Sequence, residues 1–362
     1  MKRYRFSDIA YNITEKKMPT PGDEKLYIGL EHLDSGCLQV TRWGGDIELK
    51  GEKLLMKKGD ILFGRRNTYL RRAAIAPHDG IFSAHGMIFR PKTDVVDPGF
   101  FPFFIASDYF MDEAIRISVG SLSPTVNWGS LKNLEFELPE ISEQQKSARL
   151  LAGFERTKEA YKKLISVTDD LVKSQFIEMF GDPVLNSKRL PIKTLPEIGE
   201  NLDSQRIPIT SGNRKQGIYP YYGASGVVDY VDDYIFDEDI LLISEDGANL
   251  LARVTPIAFS STGKVWVNNH AHVMRFSSMA TQVYVERFLN MIDISTYVTG
   301  TAQPKLNQAK LNSIPIPFPS EQLMQDYMEI IEQSDKSKFE AQQTLKELTD
   351  AQKALMKKIF EQ

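Results

Sequence analysis

The chain has 362 residues, enough for two or three domains, and its 42% hydrophobic and 25% charged content is ordinary for a globular protein. A net charge of −4 averages acidic helices with basic patches, so it neither announces nor excludes a nucleic-acid partner. The single cysteine, Cys37, rules out an internal disulfide, no apolar run nears the ~20 residues of a membrane helix, and Met1–Phe6 leads into no signal sequence; a cytoplasmic protein with no membrane partner is expected.

Residues 1–141 read as a mixed domain of short strands. Lys58-Gly59-Asp60 is a turn and Ile61-Leu62-Phe63 a buried strand. The next stretch, Gly64-Arg65-Arg66-Asn67-Thr68-Tyr69-Leu70-Arg71-Arg72, sits in a segment from Ile61 to Lys92 that opposes six cations to Asp79 alone. Arginine and asparagine can each bind a base edge through two hydrogen bonds, and both bind phosphate, so Arg65, Arg66, Asn67, Tyr69, Arg71 and Arg72 are candidates for facing DNA. A solvated turn whose arginines pair with nearby carboxylates is the competing reading. The dense run Phe100, Phe101, Phe103, Phe104, Tyr109 and Phe110 is read as core.

Residues 142–181 read as a long helix. Leu150, Phe154, Tyr161, Leu164 and Leu171 step along one seam, which then shifts to Val172, Phe176 and Met179, and Ser142 with Gln145 fits a capping box. Residues 182–319 form a second domain. Its string Asn213-Arg214-Lys215 through Tyr221-Tyr222-Gly223-Ala224-Ser225-Gly226 is polar, aromatic and glycine-rich, suited to close approach of a partner. A surface loop pinned by its own tyrosines is the alternative. Residues 320–362 form the second long helix, with Ile331, Leu345, Leu348, Leu355 and Ile359 in a heptad seam that also carries Met324, Tyr327, Ser334, Lys338, Ala341 and Gln352.

The order domain–helix–domain–helix is a duplication. Gly120, Pro124, Asn127, Leu131, Pro139 and Phe180 recur 180 residues later as Gly300, Pro304, Asn307, Leu311, Pro319 and Phe360. His85 and Arg90 recur as His270 and Arg275, and the Gly59–Leu62 strand recurs in Asp237–Ser244. Enzyme chemistry finds little footing. His270 and His272 could share a strand face, but no third metal ligand is evident. A nuclease-type cluster could be drawn from Asp237, Glu238, Asp239, Glu245 and Asp246, though such turns are usually solvated. No phosphate loop, dinucleotide fingerprint or amino-methyltransferase motif occurs.

With these residues in view, the chain resembles the specificity subunit of type I restriction–modification systems. The most specific strings are Tyr219–Gly226, Asn268–Val273, and Thr299-Gly300-Thr301-Ala302-Gln303-Pro304 through Pro319-Ser320-Glu321-Gln322; Gly59–Arg66 resembles another subclass of the same domain. The likeness is looser in the first half, where Ser123 and Thr125 stand in place of Gln303 and Lys305. The resemblance implies an α+β chain with two strand-rich target-recognition domains, separated by two long antiparallel coiled-coil helices with a pseudo-twofold repeat. A helix of about 38 residues is roughly 57 Å long, against about 34–36 Å for one turn of DNA, so half-sites more than a turn apart are expected.

It also implies recognition of a split, asymmetric double-stranded target without catalysis. Asn213, Arg214, Lys215, Tyr221, Tyr222, Lys264, Asn269 and Lys305 would face DNA in the second domain. Two methyltransferase subunits would bring S-adenosylmethionine, restriction/translocase subunits would bring ATP and magnesium, and this chain would bind no cofactor or metal itself. A self-contained DNA-modifying enzyme and a non-DNA scaffold with repeated domains are the alternatives.

Overall fold

Ile61-Leu62-Phe63 leaves a turn in which Gly59 takes φ +90°, and all three strand residues are almost fully buried. Such a short continuous apolar strand must be covered on both faces. It lies third in an antiparallel sheet ordered Ala10–Ile13, Met87–Pro91, Ile61–Phe63, Ala73–Ile75. The same sheet is made again from Gly199–Asn201, Ala271–Phe276, Ile240–Ser244 and Ala258–Ser261, in the same order and sense. The computed structural model describes residues 1–45, 48–300 and 302–360, so Glu361 and Gln362, expected from the sequence to end the second helix, and Thr301, in the tail that joins the second domain to that helix (residues 299–319, with 119–139 as its counterpart in the first copy), lie outside the described residues.

Strand register refines the alignment of the two copies. Ile61 pairs with Phe89 as Leu241 pairs with Met274, so the central strand repeats at an offset of 180. Asp60 therefore has Ile240 as its counterpart. The buried Asp60 carboxylate holds Arg90 through two bonds of 2.8 and 2.9 Å, whereas Arg275 takes Glu200 and Glu238 instead. A second four-stranded sheet completes each copy: Lys16–Lys17, Lys53–Met56, Gly80–Phe82 and Tyr27–Ile28 in the first, Gly226–Val231, Gln216–Gly223, Lys264–Val267 and Phe236–Asp237 in the second.

The chain divides into a unit of Met1–Lys162 with the segment from Gln342 onward, and a unit of Lys163–Ala341. The division falls within both long helices, Ile141–Phe180 and Glu321–Phe360, of 40 residues each. In the first unit Glu155 and Lys158 bond Gln352, and Leu151 joins a cluster with Leu355. In the second unit Asp169 pairs with Lys338 at 2.6 Å and the Tyr327 hydroxyl donates to the Val172 carbonyl. Rising numbers on one helix meet falling numbers on the other, so in each unit the two run antiparallel.

The seam of the C-terminal helix contains buried Met324, Tyr327, Ile331, Ser334, Ala341 and Gln352, with Leu345, Leu348, Leu355 and Ile359 half-buried. In the central helix the shift of the seam to Val172, Phe176 and Met179 holds, with the first two buried and Met179 half-buried, but the stretch before it differs from the sequence reading. Leu150, Leu164 and Leu171 are about half exposed, Phe154 and Tyr161 are half-buried, and the buried positions there include Ala148, Leu151 and Thr168. Adjacent residues lie ~100° apart around a helix, so choosing Leu150 over Leu151 turns the stripe away from its partner. The cause is polar: Glu155 and Lys158 occupy the inner face and bond Gln352, where apolar periodicity has nothing to mark.

The expected capping box is also not used. The helix already starts at Ile141, and Gln144 is buried, accepting from Asp97 N at 2.8 Å and donating to the Val95 and Pro139 carbonyls. Leu345→Asp with Leu348→Asp places two carboxylates on the seam. A loss of about 2 kcal/mol or more per site is expected, read as a lower melting midpoint by circular dichroism; an unshifted midpoint would show that these residues do not hold the helices together.

Candidate nucleic-acid interface

The loop after Phe63 is shaped by local backbone and a clamp to the tail. Gly64 N donates to Arg72 O at 2.8 Å, closing the loop. Asn67 and Arg71 take φ of 54° and 48° around the 3-10 turn Thr68–Leu70, a left-handed conformation that asparagine tolerates better than most residues. Asn67 N donates to Pro124 O at 2.8 Å and Val126 N to Arg65 O at 3.0 Å. Arg66 and Tyr69 face solvent, and among the described residues the Arg66 side chain makes only a long 3.4 Å bond to the Ser123 hydroxyl. Arg65 is half-buried, and its Nε, like Asn67 Oδ1 and Arg72 Nε, is buried without a hydrogen-bond partner.

Two of the six candidates are engaged inside the protein. The Arg71 guanidinium bonds Asp108 at 2.7 Å and also Asp112, and Arg72 Nη1 donates to the Leu30 carbonyl at 2.9 Å. The competing reading of carboxylate-paired arginines therefore holds at Arg71 and fails at Arg65 and Arg66, which have no carboxylate in ion-pair range among the described residues.

In the second domain the tyrosine-rich string is a hairpin, Gln216–Gly223 against Gly226–Val231. Tyr221 is 1% exposed; its hydroxyl accepts from Ile209 N and donates to Ile209 O, and the Arg214 guanidinium lies 4.4 Å over its ring. Arg214 also reaches Asp229 at 3.1 Å. Tyr221 and Arg214 are thus corrected from DNA-facing candidates to internal braces: a buried phenol needs a polar partner, and the adjoining backbone supplies one. Tyr222 is half-buried beside Phe259, and Lys264 lies 4.6 Å over Tyr234. Asn213, Lys215, Lys264 and Asn269 remain on the surface. Ile218, Val228 and Tyr230 are exposed on the same hairpin and were not singled out from the sequence. Their signal was present, since apolar residues on both faces of a sheet with one covered face must include some that face out.

A buried polar network ties this domain to its tail. His272 Nδ1 is 2.6 Å from Asp203 Oδ2 and its Nε2 is 2.8 Å from Leu306 O. Asp203 also accepts from Val273 N at 2.8 Å, and Arg206 bridges Glu245 at 2.7 Å to Ala271 O. Lys305 closes the chain at 3.1 Å from Glu245. Burial pushes the Asp203 carboxyl up, but the His272 bond and charge, the Val273 N–H and Arg206 outweigh it and leave a net lowering. Glu245 behaves alike: burial raises it, and bonds from Arg206 and Lys305 bring it below its ordinary value.

His270 and His272 do not converge. His270 lies in the turn before the strand and pairs with Asp246 at 2.8 Å, and His272 points inward. Among the described residues no group of three or more His, Cys, Asp or Glu is placed to hold a metal. Of the carboxylates considered for a nuclease, Glu238 and Glu245 are in ion pairs with arginines and Asp246 is hydrogen-bonded to His270.

A mixed sheet domain followed by a long helix is made twice in one chain, with different loops at equivalent places. The chain belongs to the family of the type I restriction modification DNA specificity domain, which matches residues 8–168 and again 190–350. A putative type I restriction enzyme specificity subunit of Haemophilus influenzae is 31% identical over 153 residues, a match spanning 42% of this chain and 39% of that relative. The fold is shared with the S subunit of a type I restriction-modification system from M. genitalium, at a TM-score of 0.61 and 15% identity over 99% of this chain and 96% of that one. A chain solved in work on complex assembly and conformational transition of the type I R-M system matches at 0.57 and 15% identity, over 99% and 97%.

Proposed function

We propose that this chain is the non-catalytic subunit that reads both halves of a bipartite, asymmetric DNA target, one half by each domain. The carrying observation is that one backbone is built twice with different side chains at equivalent places. Asn67 N bonds Pro124 O and Gly247 N bonds Pro304 O, at the 180-residue offset shared with the central strand, yet the loops are Arg65-Arg66-Asn67 and Glu245-Asp246-Gly247. Two like scaffolds with unlike surfaces suit two unlike half-sites, since base readout depends on which side chains reach the groove.

In this reading the chain brings methyltransferase subunits, two of them, to the DNA. They supply S-adenosylmethionine and methylate an adenine in each half, with the base flipped out of the stack. Restriction/translocase subunits add ATP- and magnesium-dependent chemistry. Support comes from family membership and from the engagement of Glu238 and Glu245 in ion pairs, and of Asp246 with His270, rather than in an open catalytic cluster. Methylome sequencing of cells with and without this chain tests it. The expected result is a split adenine-methylated motif that disappears with the chain; an unchanged methylome, or a contiguous motif, would overturn the proposal.

A further inference from the structure

The loop that faces the tail carries opposite charge in the two repeats. At backbone level the copies correspond bond for bond: Val126 N to Arg65 O matches Leu306 N to Glu245 O, and the Arg66–Thr125 bridge matches Asp246–Lys305. At side-chain level they invert. In the second repeat Glu245 is taken by Arg206 and Lys305, and Asp246 by His270, and both carboxylates are largely buried. The place is occupied by an ion-pair network whose carboxylates are largely buried, and Lys305, a candidate DNA-facing residue whose side chain is itself 51% exposed, places its charge there on Glu245.

In the first repeat the tail offers the neutral Ser123 and Thr125, and the loop offers Arg65 and Arg66 with no acid to neutralise them among the described residues. Arg66 projects into solvent beside the Ser123 hydroxyl. A cation with free donors next to a hydroxyl, on a loop held by backbone bonds, suits a phosphodiester oxygen. A carboxylate already engaged by two cations does not, because anion beside anion costs energy.

We infer that the grip on a backbone phosphate at this place in the fold exists in the first repeat alone, made by Arg66 with Ser123 and supported by the charge of Arg65, and that its equivalent in the second repeat is closed by the Glu245–Lys305 pair. The two domains then hold the duplex through non-equivalent elements despite equivalent backbones. This rests on the DNA-specificity reading and specifies how each domain meets the backbone.

The test is the salt dependence of binding to a short duplex of arbitrary sequence, followed by fluorescence anisotropy, with the full chain assembled with its methyltransferase partner. Removing the cation that neutralises one phosphate makes the slope of log K against log salt shallower by about 0.9. Arg66→Ala is expected to reduce the slope by about that amount, and Lys305→Ala to leave it unchanged. Arg66 has one long side-chain bond, so its removal leaves the fold intact. An unchanged slope for Arg66→Ala, or an equal drop for Lys305→Ala, would overturn the inference while wild-type binding left the DNA reading standing. No salt-dependent binding by the wild-type assembly would overturn both.

Discussion

Asp203→Ala is expected to destabilise the second unit by about 3–5 kcal/mol, the usual result of removing one partner from a buried charge pair. The carboxylate is the hub of its network: Oδ2 faces His272, Oδ1 accepts from Val273 N, and Arg206 lies 3.5 Å away. The His272 side chain is 2% exposed and Arg206 13%, so neither can turn to water when the acid is removed. The change also frees the end of the tail, because His272 Nε2 is bonded to Leu306 O. Hydrogen exchange read peptide by peptide should show weakened protection at 271–276 and 303–307, with the first unit unaffected. A destabilisation below about 1 kcal/mol would mean that solvent replaces Asp203 freely.

The same residues make the second unit sensitive to acid. Asp203 and Glu245 both have carboxyls lowered in the folded state. A lowered folded value means that the unfolded chain binds protons first, so the stabilisation is fully present above the ordinary carboxylate range and is lost as pH falls through the folded values. With ordinary values of 3.8 and 4.5, the loss begins near the upper figure and deepens below the lower. Asp203→Asn should flatten that acid limb in a urea titration series, at the cost of lower stability near neutral pH.

The duplication was legible because it is written in residues that backbone geometry demands. Gly120 and Gly300 take φ of 109° and 84°, and a Cβ at either would meet the carbonyl three residues on. The C-terminal helix was legible because most of its seam is apolar. In the central helix the extent and the Val172–Phe176 stripe were legible, but the seam before them was not, because Lys158 and Glu155 face inward on Gln352, almost 200 residues away. The Tyr221-Tyr222 pair shows a local limit. A register shift between these two residues interrupts the alternation that would assign each a face, and the Ile209 backbone that receives Tyr221 comes from outside the hairpin. Arg71 shows a non-local one: its acids, Asp108 and Asp112, lie on the helix Asp108–Arg116, of which the sequence marks only Tyr109 and Phe110, as core. Periodicity reports burial well, but which charge meets which depends on chain topology.

Phe360→Ala is expected to destabilise the first unit, not the second, by about 3–5 kcal/mol, although Phe360 follows the second domain in sequence. Its ring stacks on Tyr109 at 5.5 Å and 16°, and lies 5.5 Å from Phe100 and 5.9 Å from Phe104, in the aromatic core of residues 1–141. The repeat makes the mirror experiment available. Phe180 is its counterpart, packs edge-on against Tyr284 at 4.8 Å, and belongs to the core of the second unit. Tyr109 and Tyr284 also play matching parts, each bonding the tail strand through its hydroxyl, to Glu137 N and Pro317 O. Each domain therefore takes its final aromatic from the end of the helix that follows the other domain. Exchange measurements should find Phe360→Ala exposing Phe100–Arg116 and Phe180→Ala exposing Met279–Met291. If Phe360→Ala weakened protection in the second unit instead, or in both units alike, the cyclic exchange of helix ends would not be what closes the two cores.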